Sequence, residues 1–208
     1  MNTLFKAFLL LMASMMASIT LAATEPKQML QSAADNIISY LKENQSKLAE
    51  NPQLSVDLVK KELVPYIDQE ALGRRVLAKE WRTATPQQQQ QFVELFVDLV
   101  IDTYAKGLAQ YNNQTFEFED TEYNDKMTLA RVKSQMNQTD GEPVKIDYLL
   151  KKPKGLDEWR VVDVRIEGIS MANSYKNQFA QQIQNEGLQS VLDKLAKKEI
   201  TLDQTNAN

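Results

Sequence analysis

The stretch from Thr85 to Tyr111 constrains this chain more than any other. Thr85-Pro86-Gln87-Gln88 reads as a helix start, with Thr85 as cap, Pro86 in the first turn and Gln88 closing a capping box. The glutamines from Gln87 to Gln91 then form a solvated first turn. Placed at about 100° steps from Phe92, the side chains of Phe92, Val93, Leu95, Phe96, Val97, Leu99, Val100, Ile101, Tyr104 and Leu108 cover roughly 240° of the helix. Glu94, Asp98, Asp102 and Lys106 make the polar stripe. A surface helix buries an arc of little more than about 100°. This helix therefore needs cover on at least two sides, or it lines an apolar space. Periodicity leaves both readings open.

Around it the sequence reads as α+β. Pro26 opens a helix in which Met29, Ala33, Ile37 and Leu41 recur at helical spacing, with Leu30, Ala34 and Ile38 broadening the face. Asn51-Pro52 breaks it, Ser55 is placed to cap a second helix, and Pro65 ends that one. A short helix follows over residues 69–79. After Tyr111 the period falls toward 2. Residues 115–119, 128–133, 144–150 and 159–166 read as four strands with short connections, hence an antiparallel meander. Two more helices follow, one capped by Ser170 and one opening after Gly187, and from Thr201 the tail reads as polar and frayed. The expected architecture is one domain: helices packed on a twisted four-stranded antiparallel sheet that encloses an apolar cavity.

Residues 1–22 carry Lys6, an uncharged apolar run and Thr20-Leu21-Ala22-Ala23, the pattern of a secretory signal peptide cleaved after Ala22. The mature domain is then 23–208, exported. The composition narrows its chemistry. The chain has no His and no Cys, so imidazole-based nucleophilic catalysis and the usual zinc or copper ligands are not available to it. No catalytic residue, metal ligand or cofactor is assigned. Its 28 acidic against 24 basic side chains, a formal net charge of −4, argue against nucleic acid as a partner.

Several stretches together resemble a known family: Val64-Pro65-Tyr66-Ile67-Asp68, Leu72-Gly73-Arg74-Arg75-Val76-Leu77, and Trp81-Arg82-Thr83-Ala84-Thr85-Pro86 leading to Gln89, Phe92 and Phe96. Trp159-Arg160-Val161-Val162-Asp163-Val164, Ile166-Glu167-Gly168-Ile169-Ser170, Asn173-Ser174-Tyr175 and Gln178-Phe179 complete it. In this order they resemble the MlaC or toluene-tolerance family of periplasmic phospholipid-binding proteins. The resemblance implies a monomeric periplasmic shuttle for diacyl phospholipid. Its implied partners are an outer-membrane lipoprotein–porin complex and an inner-membrane ABC transporter with its MCE-domain protein, and its implied role is to maintain outer-membrane lipid asymmetry.

Combining the resemblance with the apolar faces gives a candidate lipid lining: Val76, Leu77, Phe96, Leu99, Val100, Tyr104 and Leu108 from the helices. The sheet and following turn add Phe118, Val132, Ile146, Tyr148, Val164, Ile169 and Met171. Arg82 and Arg165 are candidates for the head-group phosphate. Two other classes stay open on residues alone. A cone-shaped isomerase-like enzyme would need Asp147 or Asp163 pointing into the pocket, and a chaperone or adaptor would hold peptide in the groove.

Overall fold

A computed structural model describes residues 24–108 and 111–202; the expected leader, residues 1–22, lies outside them. Helix α1 (Pro26–Glu50) starts where Pro26 presets a helical φ, and the Glu25 carboxylate accepts from Gln28 N. It bends at Asn44, whose φ of −124° leaves the helical region. Helix α2 (Gln53–Glu62) starts two residues before the expected cap, because Pro52 already holds a helical φ of −61°. The Asn51 side chain accepts from Gln53 N at 3.2 Å. Ser55 thus falls inside the helix, fully buried, and its Oγ has no partner among the described residues.

After a 3-10 turn at Val64–Tyr66, Asp68 caps helix α3 (Gln69–Leu77), its carboxylate accepting from Ala71 N at 2.9 Å. A second 3-10 turn, Glu80–Arg82, leads to helix α4 (Pro86–Leu108). The capping box forms as the spacing predicts: Gln88 N donates to Thr85 Oγ1 at 3.2 Å, and Thr85 N to Gln88 Oε1 at 3.1 Å. Gly73 lets α3 approach α4 closely, since a Cβ there would sit 2.6 Å from a methyl of Val93.

The sheet contains β1 (Thr115–Phe118), β2 (Glu122–Tyr123), β3 (Leu129–Asn137), β4 (Val144–Lys151), β5 (Arg160–Ile166) and β6 (Ile169–Ser170). All pairs are antiparallel in the order β1-β3-β4-β5-β6, with β2 following β1 along the same edge of β3. The four expected strands are its body. Strands β2 and β6 have two residues each, too few to show a period of 2 in a sequence. Glu167 (φ 49°) and Gly168 (φ 82°) turn β5 back into β6, both left-handed as a tight hairpin requires.

The register decides which side chains face the helices. Met136, Ser134, Val132 and Ala130 of β3 oppose Val144, Ile146, Tyr148 and Leu150 of β4. Those of β4 oppose Ile166, Val164 and Val161 of β5. Between Leu149 and Leu150 the register slips by one, leaving Val162 without an opposite number. Val161 and Val164 consequently share the inner face although they are an odd three positions apart, and a bulge of this kind bends and twists its strand.

Ser170 Oγ accepts from Asn173 N at 3.2 Å and caps helix α5 (Met171–Glu186). Gly187 at φ 82° separates it from helix α6 (Leu188–Ala196). The tail is less frayed than its polarity suggests: Ile200 and Leu202 are buried in the helical core, and Gln178 Nε2 donates to Thr201 O at 2.7 Å.

Candidate functional site: a two-part apolar cavity

Helix α4 divides its wide apolar arc three ways. Phe92 and Phe96 are fully buried against α5 and α6 in the main helical core. Val97, Ile101 and Ala105 pack with Val56 of α2. Val100, Tyr104 and Leu108 border empty space. Both readings of the periodicity hold at once, on different sides of one helix.

The empty space has two parts. The larger, about 420 Å³, lies between α1 and the inner sheet face. Its roof is Leu30, Ala33, Ala34, Ile37, Ile38 and Leu41 of α1, and its floor includes Phe116, Met136, Tyr148, Val161 and Val164. The smaller, about 220 Å³, lies between α4, α5 and β5, walled by Val100, Tyr104, Ile166, Met171 and Tyr175. Ile67, Val161 and Val164 border both. A parallel bridge between Ile67 and Val161, with Asp68 N donating to Val161 O at 2.9 Å, fixes that shared wall. Three short residues interrupt the large side chains that face the larger space. Ala33, Ala34 and Gly107 do not reach across, and the register slip between Leu149 and Leu150 bends the strand opposite.

The polar groups near these spaces are engaged with one another. The Tyr104 and Tyr175 hydroxyls share a hydrogen bond of 2.9 Å. Burial, and then that bond, push the Tyr175 hydroxyl well above the ordinary tyrosine range, so it stays neutral. Burial also raises Tyr148, against a smaller opposing effect of Ser134. Asp163 is 2% exposed. Its carboxylate accepts from Ser170 Oγ at 2.7 Å and Ala172 N at 3.1 Å, and pairs with Arg75 at 3.1 Å. It ties α3 and the start of α5 to β5 and is fully occupied in doing so. Asp147 lies on the outer sheet face, paired with Arg131. Asp163 borders the smaller space, as an isomerase-like site would require, but its oxygens there are held by Ser170, Ala172 and Arg75, whereas Asp147 borders neither space.

Of the sequence-derived lining, Val100, Tyr104 and Met171 border the smaller space, Leu108 and Tyr148 the larger, and Val164 both. The structure places the others elsewhere. Val76, Leu77 and Phe96 fill the helical core, and Leu99 packs against it, because the adjacent arc of α4 turns toward α5 and α6. Phe118 and Val132 share the inner sheet face but pack where Met29, Leu30 and Trp159 close it. Ile146 is on that face and partly exposed, outside both spaces, and Ile169 is 41% exposed on the β5–β6 turn. Arg82 is exposed on the second 3-10 turn. Arg165, opposite Asp147 and Ser170, belongs to the outer face. Neither arginine borders either space. The roof from α1 is not among the sequence-derived lining. Its signal was the doubled apolar stripe of Leu30, Ala34 and Ile38 beside Ala33, Ile37 and Leu41.

A concave antiparallel sheet, a bent helix above it and a space walled by aliphatic and aromatic side chains define the class: an α+β protein built to hold an apolar ligand. The sequence profile of the family described as "MlaC protein" matches residues 31–197. The chain belongs to the MlaC family. It is 25% identical over 186 residues to the "Intermembrane phospholipid transport system binding protein MlaC" of Haemophilus influenzae, covering 89% of this chain and 87% of that one. It is 27% identical over 188 residues to the toluene tolerance protein ttg2D of Pseudomonas putida, covering 90% and 86%. Among solved structures it resembles a phospholipid-binding protein of Ralstonia solanacearum in complex with a phospholipid. That match has a TM-score of 0.74 and 31% identity, over 83% of this chain and 96% of the other.

Proposed function

We propose that this protein is a periplasmic phospholipid carrier, exported by a leader cleaved after Ala22 and working as a monomer. The observation that carries the reading is the two-part apolar space between the helices and the inner sheet face, in a fold whose Ralstonia relative holds a phospholipid. Acyl chains occupy the larger and smaller spaces across the wall of Ile67, Val161 and Val164. Val100, Tyr104, Leu108, Tyr148, Val164 and Met171 touch them, together with the α1 roof. The head group stays outside, so no buried cation is required.

The physical task is exclusion of water. Releasing a lipid into water exposes two chains of about 15 methylenes, at a cost on the order of 20 kcal/mol. Unassisted passage is therefore negligibly slow. A cavity as apolar as the bilayer removes most of that cost without trapping the cargo. Uptake and release then stay nearly balanced, and direction is set by the partners. Those are an outer-membrane lipoprotein–porin complex and an inner-membrane ABC transporter with its MCE-domain protein, and the traffic serves outer-membrane lipid asymmetry. The relatives bear binding and transport names rather than enzymatic ones, which agrees with a protein that makes and breaks no bond.

The test is direct. Mature protein purified from the periplasm without detergent is extracted with organic solvent and the extract analysed by mass spectrometry. Stoichiometric diacyl phospholipid is expected. An empty protein that also takes no labelled lipid from vesicles sinks the reading, and copurifying peptides in place of lipid point to a chaperone.

A further inference from the structure

One end of the sheet carries a feature that cargo binding does not use. The β2–β3 turn and the β4–β5 turn lie side by side there, since Leu129 at the start of β3 opposes Lys151 at the end of β4. The Tyr123 ring contacts Trp159 at 5.6 Å and ties the bases of the two turns together. At their tips Met127 is 59% exposed, Leu156 53% and Leu129 51%, the three most exposed large apolar side chains among the described residues. Large apolar groups clustered at adjacent tips, rather than scattered singly, mark a contact surface.

The charges beside them indicate what is contacted. Lys126 and Lys154, adjacent to Met127 and two residues before Leu156, are exposed and make no ion pair or hydrogen bond among the described residues. The neighbouring carboxylates Asp157 and Glu158 are taken up by Lys152 and Arg160, leaving Asp125 as the acid of the two turns without an ion-pair partner among the described residues. On a chain of net charge −4, this end therefore presents free cations beside apolar tips. Lysine stems can lie along an apolar boundary while their ammonium groups reach outward to phosphates. Among the described residues no helix is long and apolar enough to cross a membrane, so contact with a bilayer would be confined to its surface.

We propose that the paired turns of Met127 and Leu156 are a membrane-surface contact, with the apolar tips entering the interface and Lys126 and Lys154 meeting anionic lipid phosphates. A second observation gives this orientation a use. At the foot of the turns lies a cleft of about 600 Å³, between the start of α1 and residues 157–160. Tyr66 borders both this cleft and the larger apolar space. With the turns at a bilayer, Tyr66 stands between the lipid surface and the cavity. That route rests on the carrier reading, whereas the surface contact itself does not.

The test is sedimentation of the full-length mature protein with vesicles of equal parts phosphatidylethanolamine and phosphatidylglycerol, and with phosphatidylcholine vesicles, at low and high salt. Binding to the anionic vesicles that weakens with salt is expected. The double variant Met127→Glu, Leu156→Glu should bind at least about tenfold more weakly. Lys126→Glu with Lys154→Glu should abolish the preference for anionic lipid. Ile169→Glu, an exposed apolar position at the opposite end of the sheet, should change neither. Equal losses in Ile169→Glu, or a wild-type protein that binds neither vesicle, overturn the proposal and leave the tips to a protein partner. Lipid content measured on the same samples tests the carrier reading separately: a variant that keeps its lipid yet leaves the vesicles bears only on the surface contact.

Discussion

The helical core and the sheet-side cavity are walled by the same helix, yet side chains fill the first and leave space in the second. On the core side, Phe92 and Phe96 stack at 5.6 Å, Phe179 meets both edge-on at 5.3 and 5.8 Å, and Tyr175 closes on Phe96 at 5.4 Å. Rings in these offset and edge-on arrangements fill volume without strain. A few residues further along α4, the opposing walls mix Ala33, Ala34, Val161 and Val164 with larger side chains that do not meet across the gap. Apolar character alone therefore does not distinguish core from binding site. What distinguishes them is whether the facing elements supply enough volume.

That contrast can be broken from either side by denaturant unfolding of the purified protein. The largest effect is expected for Phe96→Ala, which opens a hole in a filled region and should cost about 3–5 kcal/mol, while the folded fraction keeps its lipid. Asp163→Ala strands Ser170 and the Ala172 N–H and frees Arg75. It should cost about 2–3 kcal/mol, less than the full penalty for a broken buried pair because Arg75 keeps a solvent-exposed side. Tyr175→Phe loses one buried hydrogen bond and should cost about 1 kcal/mol at neutral pH.

Tyr175→Phe also sharpens the comparison through pH. The wild-type hydroxyl has a folded-state pKa raised above that of the unfolded chain, so its contribution is complete below about pH 10. It is lost above that, where only the unfolded tyrosine ionises. The variant's stability should therefore fall less steeply in alkaline solution, with Tyr148 accounting for part of the remaining slope. The smallest stability change is expected for Ala34→Phe, within about 1 kcal/mol, because the added ring enters existing space rather than a packed region. Its lipid content, measured by solvent extraction, should nonetheless fall below half of the wild-type value.

Much of the fold was legible because α4, α5 and the four long strands each carry a clean period. Thr85 and Ser170 cap where their spacing says they should. Ser55 misled because a preceding proline had already started its helix, and Leu202 because one apolar residue in a polar tail carries no period. The site was half legible for a related reason. Periodicity identifies the arc of Val100, Tyr104 and Leu108 as apolar, but cannot say that Phe96 next to it meets rings while Val100 meets a gap. That depends on where β5 and α1 lie, which is a property of topology. The α1 roof shows the same limit: its doubled stripe announced a broad apolar face without saying what lay opposite.

The slip at Val162 carries one more consequence. The chain spends one residue on β5 that its pairing with β4 does not use, and removing it would return the strand to simple alternation with Val161, Asp163 and Val164 facing as they do now. The paired side chains would keep their partners, while the bend would go and the smaller space would lose Val162 from its wall. The depth of the hollow and the wall of the smaller space thus meet at one position, so a single-codon deletion there would change the bend and one lining side chain together.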